Sequence, residues 1–299
     1  MKVNGISASA YDVYSHCQWK YYLQYGLNFE SESGAAALLG TMAHKVLEIL
    51  SRAVVVKHRK DSKIWDPNYL WNLSFNHYYN EEPHIAEQIT DDKLKKVCKG
   101  MHSLLNSEYT PIRENTISAE AAFNIEMREP AFKLPVDGDK YFTLRGRIDR
   151  VDKLDDETVE IIDYKSGSRV AWDSQDRHKK EPADLHKEIQ PRMYHLAAKH
   201  LYPWAKNFLV TFIYFTDGGP ITVPFCEPDL AETRNILLKR FRSIKNNEDP
   251  QQNKSWKCNK LCSFGTSGIC DDVWRESKEL GHEFIQNKYI VLNVRKRIK

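Results

Sequence analysis

The residue types able to carry out chemistry are densest in two short segments, Gly146-Arg147-Ile148-Asp149-Arg150-Val151-Asp152 and Glu160-Ile161-Ile162-Asp163-Tyr164-Lys165-Ser166-Gly167. If both are neighbouring strands of one meander, Asp149 and Asp163 converge on one site. Side chains two apart on a strand share a face, so Asp163 and Lys165 stand together while Tyr164 turns away and leaves its backbone carbonyl near them. Two carboxylates and a carbonyl suit a hard divalent cation such as Mg²⁺ or Mn²⁺. Without a cation the carboxylates would repel, and one would take up a proton. Lys165 would be the nearby fixed positive charge, placed to stabilise charge developing in a phosphorane-like transition state or to orient an attacking water. Asp-x-Lys by itself has a plainer reading, an exposed ion pair at a strand end that stabilises little.

Two helical pairs bear on the same site. His44 and Glu48 lie one turn apart and point to one face, where an imidazole could complete the coordination of a cation held by two aspartates; the alternative is a core or surface histidine. Gln190 and Tyr194 are likewise one turn apart in Gln-Pro-Arg-Met-Tyr. An amide and a phenol on one helical face can bond a phosphate and stack on a base or sugar, or can be a cap and a packed tyrosine.

These residues need elements to position them. The spacing predicts helices over residues 7–26 (with an aromatic face), 34–57, 67–79 and 91–109, and no strand before about residue 116. Strands follow at 116–129, 141–151 and 158–164, with turns at Pro135-Val136-Asp137-Gly138 and at 153–157. A mobile loop at 167–183, a helix at 189–200, strands at 207–215 and 221–225 and a closing helix at 228–245 complete the regular part. The expected architecture is α/β, a central mixed sheet flanked by helices, in one compact unit read as a helical part (1–115), a core (116–250) and a cysteine module with a basic tail (251–299).

The chain has 299 residues, 44 basic against 41 acidic, a formal charge of +3, with 41% hydrophobic residues. That balance excludes disordered and collagen-like classes and makes any polyanion-binding surface a local patch. Arg145, Arg147 and Arg150, Arg169 with 177–180, and Lys254, Lys257 and Lys260 could form such a ring. No apolar run approaches the ~20 residues that span a bilayer, and the N-terminus lacks the apolar core of a secretory signal, so a cytoplasmic location is expected. In a reducing compartment the six cysteines are free thiols or metal ligands. Cys258-x3-Cys262-x7-Cys270 lacks a fourth ligand nearby, and Cys17 is the one N-terminal cysteine. Zinc on four thiolates and a merely buried Cys17 are both open, while Cys98 and Cys226 read as core thiols.

His44, the Gly-x-x-Asp of Gly146 to Asp149, the Asp-x-Lys of Asp163 to Lys165 and the Gln-x-x-x-Tyr of Gln190 to Tyr194 occur in the order seen in the RecB-like branch of the PD-(D/E)xK nuclease superfamily. The opening Ser-Ala-Ser-Ala-Tyr-Asp-Val-Tyr-Ser-His-Cys-Gln-Trp-Lys-Tyr-Tyr also resembles that branch. The resemblance, over about residues 7 to 270, implies a restriction-endonuclease-like core. In it Asp149, Asp163, the Tyr164 carbonyl and His44 bind Mg²⁺ or Mn²⁺, Lys165 is catalytic with the two aspartates, and Gln190, Tyr194 and Arg147 contact DNA. Glu120 resembles an acidic position frequent in the branch, and Glu48 could act through a water. A subset, CRISPR-associated and AddB-like, holds a [4Fe-4S] cluster on one N-terminal and three C-terminal cysteines, which here would be Cys17, Cys258, Cys262 and Cys270, although the gaps are longer than usual. The implied function is a metal-dependent exonuclease on DNA ends or single strands in recombination, repair or phage replication. The alternatives are a structure-specific or flap endonuclease and a nucleic-acid-binding accessory subunit. The small format is similar to phage versions, which implies the cytoplasm of a bacterium or phage-infected host. No Gly-x-x-x-x-Gly-Lys-Ser/Thr loop is present, so unwinding would need a helicase partner, beside a possible recombinase or single-strand-binding partner.

Overall fold

The structure is a computed structural model that describes residues 5–127, 142–170 and 178–297, with side chains to residue 291. The expected turn at 135–138, part of the expected loop at 167–183, Arg177 and the basic side chains of the tail lie outside the described residues.

Along the chain, β1 (Gly5–Ile6), α1 (Ala8–His16), α2 (Gln18–Tyr21) and a π-helical turn (Tyr22–Gly26) precede α3 (Ala35–Val55), α4 (Pro67–Glu81), α5 (Pro83–Ala86) and α6 (Asp91–Leu105). Strands β2 (Thr116–Met127), β3 (Phe142–Lys153) and β4 (Thr158–Lys165) follow, then α7 (Pro182–Lys187), α8 (Ile189–Leu201), β5 (Asn207–Tyr214) and β6 (Gly219–Phe225). The chain ends in α9 (Glu227–Lys245), α10 (Ser263–Thr266), α11 (Ile269–Leu280) and α12 (His282–Arg297). It divides into two compact units, one of residues 1–33, 126–144 and 234–299, the other of 34–125 and 145–233.

In the second unit β3 and β4 run antiparallel with Arg150 opposite Ile162, and β2 pairs with β3. β4 and β5 run parallel with Asp163 opposite Phe212 and Lys165 opposite Tyr214, and β6 returns antiparallel to β5. A parallel pair needs a crossover, which α7 and α8 supply. Alternation along β4 sends Ile162 and Tyr164 into an apolar layer with Leu39, Met42, Val46, Leu47 and Leu50 of α3 and with Met101 and Leu104 of α6. Each such fully buried side chain contributes about 1.5–3 kcal/mol. Asp163 and Lys165 therefore face the other way, toward α8. Gly40 lets α3 pass close to the end of β4, since a Cβ there would lie 2.6 Å from the Ser166 hydroxyl.

In the first unit β1 pairs in parallel with Thr143 and Leu144, a strand too short to leave a periodic signal and one the sequence reading missed. The single helix expected at 7–26 is three pieces. Cys17 adopts extended backbone (φ −158°, ψ 112°) between α1 and α2, and its sulfur accepts the Lys20 N–H, capping the second piece. Trp19, Tyr22, Leu23 and Leu27 pack with Phe264, Val273 and Ile285. The region beyond residue 250, expected to hold little regular structure after the closing helix, is largely helical; α11 is amphipathic, burying Val273 and Ser277.

Candidate active site

Asp163, 3% exposed, sits where three side chains meet its carboxylate. The Tyr194 hydroxyl donates to Asp163 Oδ1 at 2.7 Å, and the Gln190 amide donates to the same oxygen at 3.1 Å and to the Tyr194 hydroxyl at 2.7 Å. Lys165 Nζ lies 2.7 Å from Asp163 Oδ2, donates to Gln190 Oε1 at 2.9 Å and stands 4.6 Å from the centre of the Phe212 ring. The helical repeat of α8 puts Gln190 above Tyr194, and the pleat of β4 puts Asp163 beside Lys165, so one contact between α8 and β4 assembles all four.

Asp149 arrives from β3. Its Oδ2 accepts the Tyr164 N–H at 2.8 Å and lies 3.4 Å from His44 Nδ1 on α3. Burial, then the charge of Asp163, raise the Asp149 carboxyl well above the ordinary range, against the Tyr164 N–H and the more distant Lys165. Burial also lowers the His44 pKa, and it raises the Tyr194 phenol, which the two carboxylates push up further. The backbone group of Tyr164 that meets Asp149 is thus its N–H, while its side chain is buried in the α3 layer with the hydroxyl accepting from Arg150 at 2.7 Å.

Glu48 pairs with Lys45 at 2.8 Å and Arg52 at 3.1 Å. Glu120 sits in β2 with φ of 53°, a left-handed backbone uncommon for a non-glycine residue, and pairs with Arg147 Nη1 at 3.3 Å. Burial and the charge of Glu48 raise its carboxyl. Arg145 and Arg147 are exposed as expected, but Arg150 corrects the expected basic ring. It is fully buried, donates to the carbonyls of Tyr109 (3.2 Å) and Thr110 (2.9 Å) and pairs with Asp152 at 3.0 Å. Two features escaped the sequence reading: Arg150 as a tie holding Tyr164, and Phe212 beneath Lys165. Parity could have shown the first, since Arg150 shares the strand face of Ile148 and Asp152.

Cys17, Cys258, Cys262 and Cys270 all fall within the first unit and are partly buried. The Asn253 N–H points at Cys17 Sγ (3.5 Å), the Ser255 N–H at Cys258 Sγ (3.4 Å) and the Gln252 amide at Cys270 Sγ (3.3 Å). Burial pushes the Cys270 thiol up to about 11, with Asp271, Cys17 and Cys262 adding to it. Cys226, expected in the core, is instead exposed and hydrogen-bonded to Asp229 at 3.1 Å; Cys98 is half-buried. Among the described residues, no three His, Cys, Asp or Glu side chains already converge as a metal-holding group.

A profile of the PD-(D/E)XK nuclease superfamily matches residues 5–271. The chain belongs to the PD-(D/E)XK nuclease superfamily. Curated relatives include the B-type subunit of the ATP-dependent helicase/deoxyribonuclease of Clostridium perfringens, 29% identical over 178 residues that cover 55% of this chain and 15% of the relative. Another is the same-named protein of Clostridioides difficile, 26% identical over 190 residues, covering 56% and 16%. The nuclease thus spans a small fraction of these relatives' length. A crystal structure of a candidate exonuclease from Eubacterium rectale superposes with a TM-score of 0.50 at 10% identity, covering 85% of this chain and 86% of that one. That likeness, with the mixed sheet between helices, makes the fold restriction-endonuclease-like.

Nucleases of this superfamily generally use divalent metals such as Mg²⁺, and the donor chemistry here fits one. Two adjacent buried carboxylates, one of them driven toward its protonated form, and a neighbouring imidazole favour a hard cation over mutual repulsion. Among the described residues no helix is long and apolar enough to cross a membrane.

Proposed function

We propose that this nuclease is a metal-dependent deoxyribonuclease that removes nucleotides from DNA ends or single strands. What carries the reading is the four-residue network of Asp163, Lys165, Gln190 and Tyr194 beside the Asp149–His44 pair. A Mg²⁺ or Mn²⁺ held by Asp149, Asp163, His44 and the Tyr164 carbonyl would supply Lewis acidity toward a phosphodiester oxygen. Lys165 then faces the phosphate with a charge that stabilises the transition state. Gln190 fixes the Lys165 ammonium and shares with Tyr194 the task of orienting Asp163. Gln190 and the exposed Arg147 are the DNA contacts in this reading; Tyr194, expected to contact DNA as well, is buried with its hydroxyl on Asp163 and so serves the carboxylate instead.

The relatives' name, helicase/deoxyribonuclease, supports a helicase as partner, with a recombinase or single-strand-binding protein as other suppliers of the strand, in cytoplasmic recombination, repair or phage replication. The four thiols with N–H donors aimed at three of them support a metal there too, a [4Fe-4S] cluster or Zn²⁺.

End-labelled single-stranded, duplex and circular DNA, incubated with Mg²⁺, Mn²⁺ or EDTA, tests the activity. Metal-dependent loss of linear but not circular DNA is expected; cutting of circles would make it an endonuclease. Lys165→Ala should lower cleavage by about a hundredfold or more while DNA binding persists. Cleavage undiminished by Lys165→Ala would refute the assignment. Protein purified without oxygen should contain about four iron atoms with broad absorption near 400 nm, or one zinc; metal-free protein with four alkylatable thiols would remove the cluster from the reading.

A further inference from the structure

A groove of about 550 Å³ opens in the second unit, lined on one side by Lys96, Lys99 and Ser103 of α6 and on the other by Phe215 to Pro220 at the turn between β5 and β6. Helix and turn meet flush at Gly100, where a Cβ would sit 2.4 Å from the Phe215 carbonyl oxygen. At its tip the turn wall carries no side chains. Gly218 and Gly219 have φ of 104° and 78°, and nothing lies within 4 Å of where a Gly219 Cβ would stand.

The groove adjoins the catalytic strand end. β4 and β5 are parallel, so their C-termini open at the same end of the sheet. The turn is latched to the residues that directly follow Lys165: Thr216 Oγ1 donates to the Ser166 carbonyl at 2.9 Å, and Asp217 Oδ2 accepts from the Ser168 hydroxyl at 2.8 Å and the Arg169 N–H at 3.0 Å. At this end four basic side chains, Lys96, Lys99, Arg169 and Lys179, stand against two carboxylates of the lining, Glu108 and Asp217. Arg169 Nη1 donates to the Gly218 carbonyl at 3.2 Å and Lys179 stands 3.8 Å from Asp217, with Lys96 and Lys99 exposed on the facing helix. Lys96, Lys99 and Ser103 follow one another along a helical face, spanning about 10 Å.

We infer that this groove carries the phosphate backbone of a single nucleic-acid strand on its way to or from the catalytic end of β4, with Lys96 and Lys99 as its phosphate contacts. The inference rests on the nuclease reading for its substrate, yet binding is measurable without cleavage. Gly218 and Gly219 let a backbone approach closely at the turn, lysines and a hydroxyl spaced along a helix suit successive phosphates, and a slot between a helix and a hairpin admits one strand more readily than a duplex.

The test is the salt dependence of oligonucleotide binding in the Lys165→Ala background, by fluorescence anisotropy with a labelled single strand. Lys96→Gln with Lys99→Gln should weaken binding roughly tenfold at low salt and flatten the slope of log affinity against log salt by about 1.4, two contacts' worth for a single strand. Lys153→Gln with Lys206→Gln, at the opposite end of β4 and β5, should leave the slope in place. Equal slopes for the Lys96/Lys99 variant and its parent would overturn the proposal, as would equal losses from both pairs, which would signify a general charge field. A failure of the nuclease reading would show separately, as cleavage that survives Lys165→Ala or never occurs in the parent.

Discussion

Tyr194 gives its hydroxyl proton to Asp163 while accepting from Gln190, so one oxygen joins two of the site's polar groups. Tyr194→Phe keeps the ring against Phe212 but leaves the buried carboxylate short of a donor. The loss should be about 1–3 kcal/mol in urea unfolding, together with slower cleavage; an unchanged unfolding midpoint would mean the hydroxyl is not bonded as described. The next residue behaves differently. His195 is 1% exposed, lies between the rings of Phe208 and Phe225, and burial lowers its pKa to about 4, with Asp229 and Glu227 only partly opposing. Its folded value is below the ordinary 6.5, so between pH 6.5 and about 4 the unfolded chain binds a proton the native state refuses. Stability should therefore fall with pH across that window, by roughly 3 kcal/mol in the limit. His195→Phe should flatten this part of the profile; urea midpoints at pH 7, 6, 5 and 4.5 that decline in parallel for both proteins would rule it out.

At the scale of elements, two glycines set how closely helices approach the sheet, and they should respond differently to alanine. At Gly100 the added methyl meets the backbone carbonyl of Phe215, which cannot rotate away, so α6 must shift and the cost of about 1–3 kcal/mol outweighs the ~1 kcal/mol gain in helix propensity. At Gly40 the methyl meets a serine hydroxyl that can turn aside, and Gly40→Ala should be near neutral in stability. Thermal melts of the two variants give the comparison, and a Gly100→Ala protein as stable as its parent would contradict the contact. The same local rules explain what could be read beforehand. A spacing of two on β4 and of four on α8 brought Asp163 to Lys165 and Gln190 to Tyr194, because both periods belong to the backbone itself. Arg150 was misassigned because its charge was weighed above its parity. Phe212 could not have been anticipated, since which strand lies beside β4 is decided by the crossover. The break at Cys17 and the two-residue β1 carry no periodic signal at all, and in α11 the metal-ligand spacing of the cysteines competes with the amphipathic pattern that buries Val273 and Ser277.

At the scale of the whole molecule, the first unit draws on segments far apart in the sequence, and its joints are specific. The Trp19 indole N–H donates to the Cys270 carbonyl at 3.1 Å, the Tyr14 hydroxyl to the Ser243 carbonyl at 3.1 Å, and Asn247 to Gln18 at 3.0 Å. Closing so long a loop costs entropy that a few hydrogen bonds and one aromatic cluster must offset. A metal bound by Cys17 together with Cys258, Cys262 and Cys270 would crosslink the same segments, and as a ligand absent from the unfolded chain it would stabilise the native state by mass action. Removing it should therefore loosen that unit first. Hydrogen exchange on the full chain, before and after chelation and in Cys17→Ser, should show protection lost in residues 18–27 and 269–280 while β4 and β5 stay protected. If chelation leaves all of these amides equally protected, the apolar cluster of Trp19, Tyr22, Phe264 and Ile285 suffices to hold the unit, and the cysteines have no crosslinking role in it.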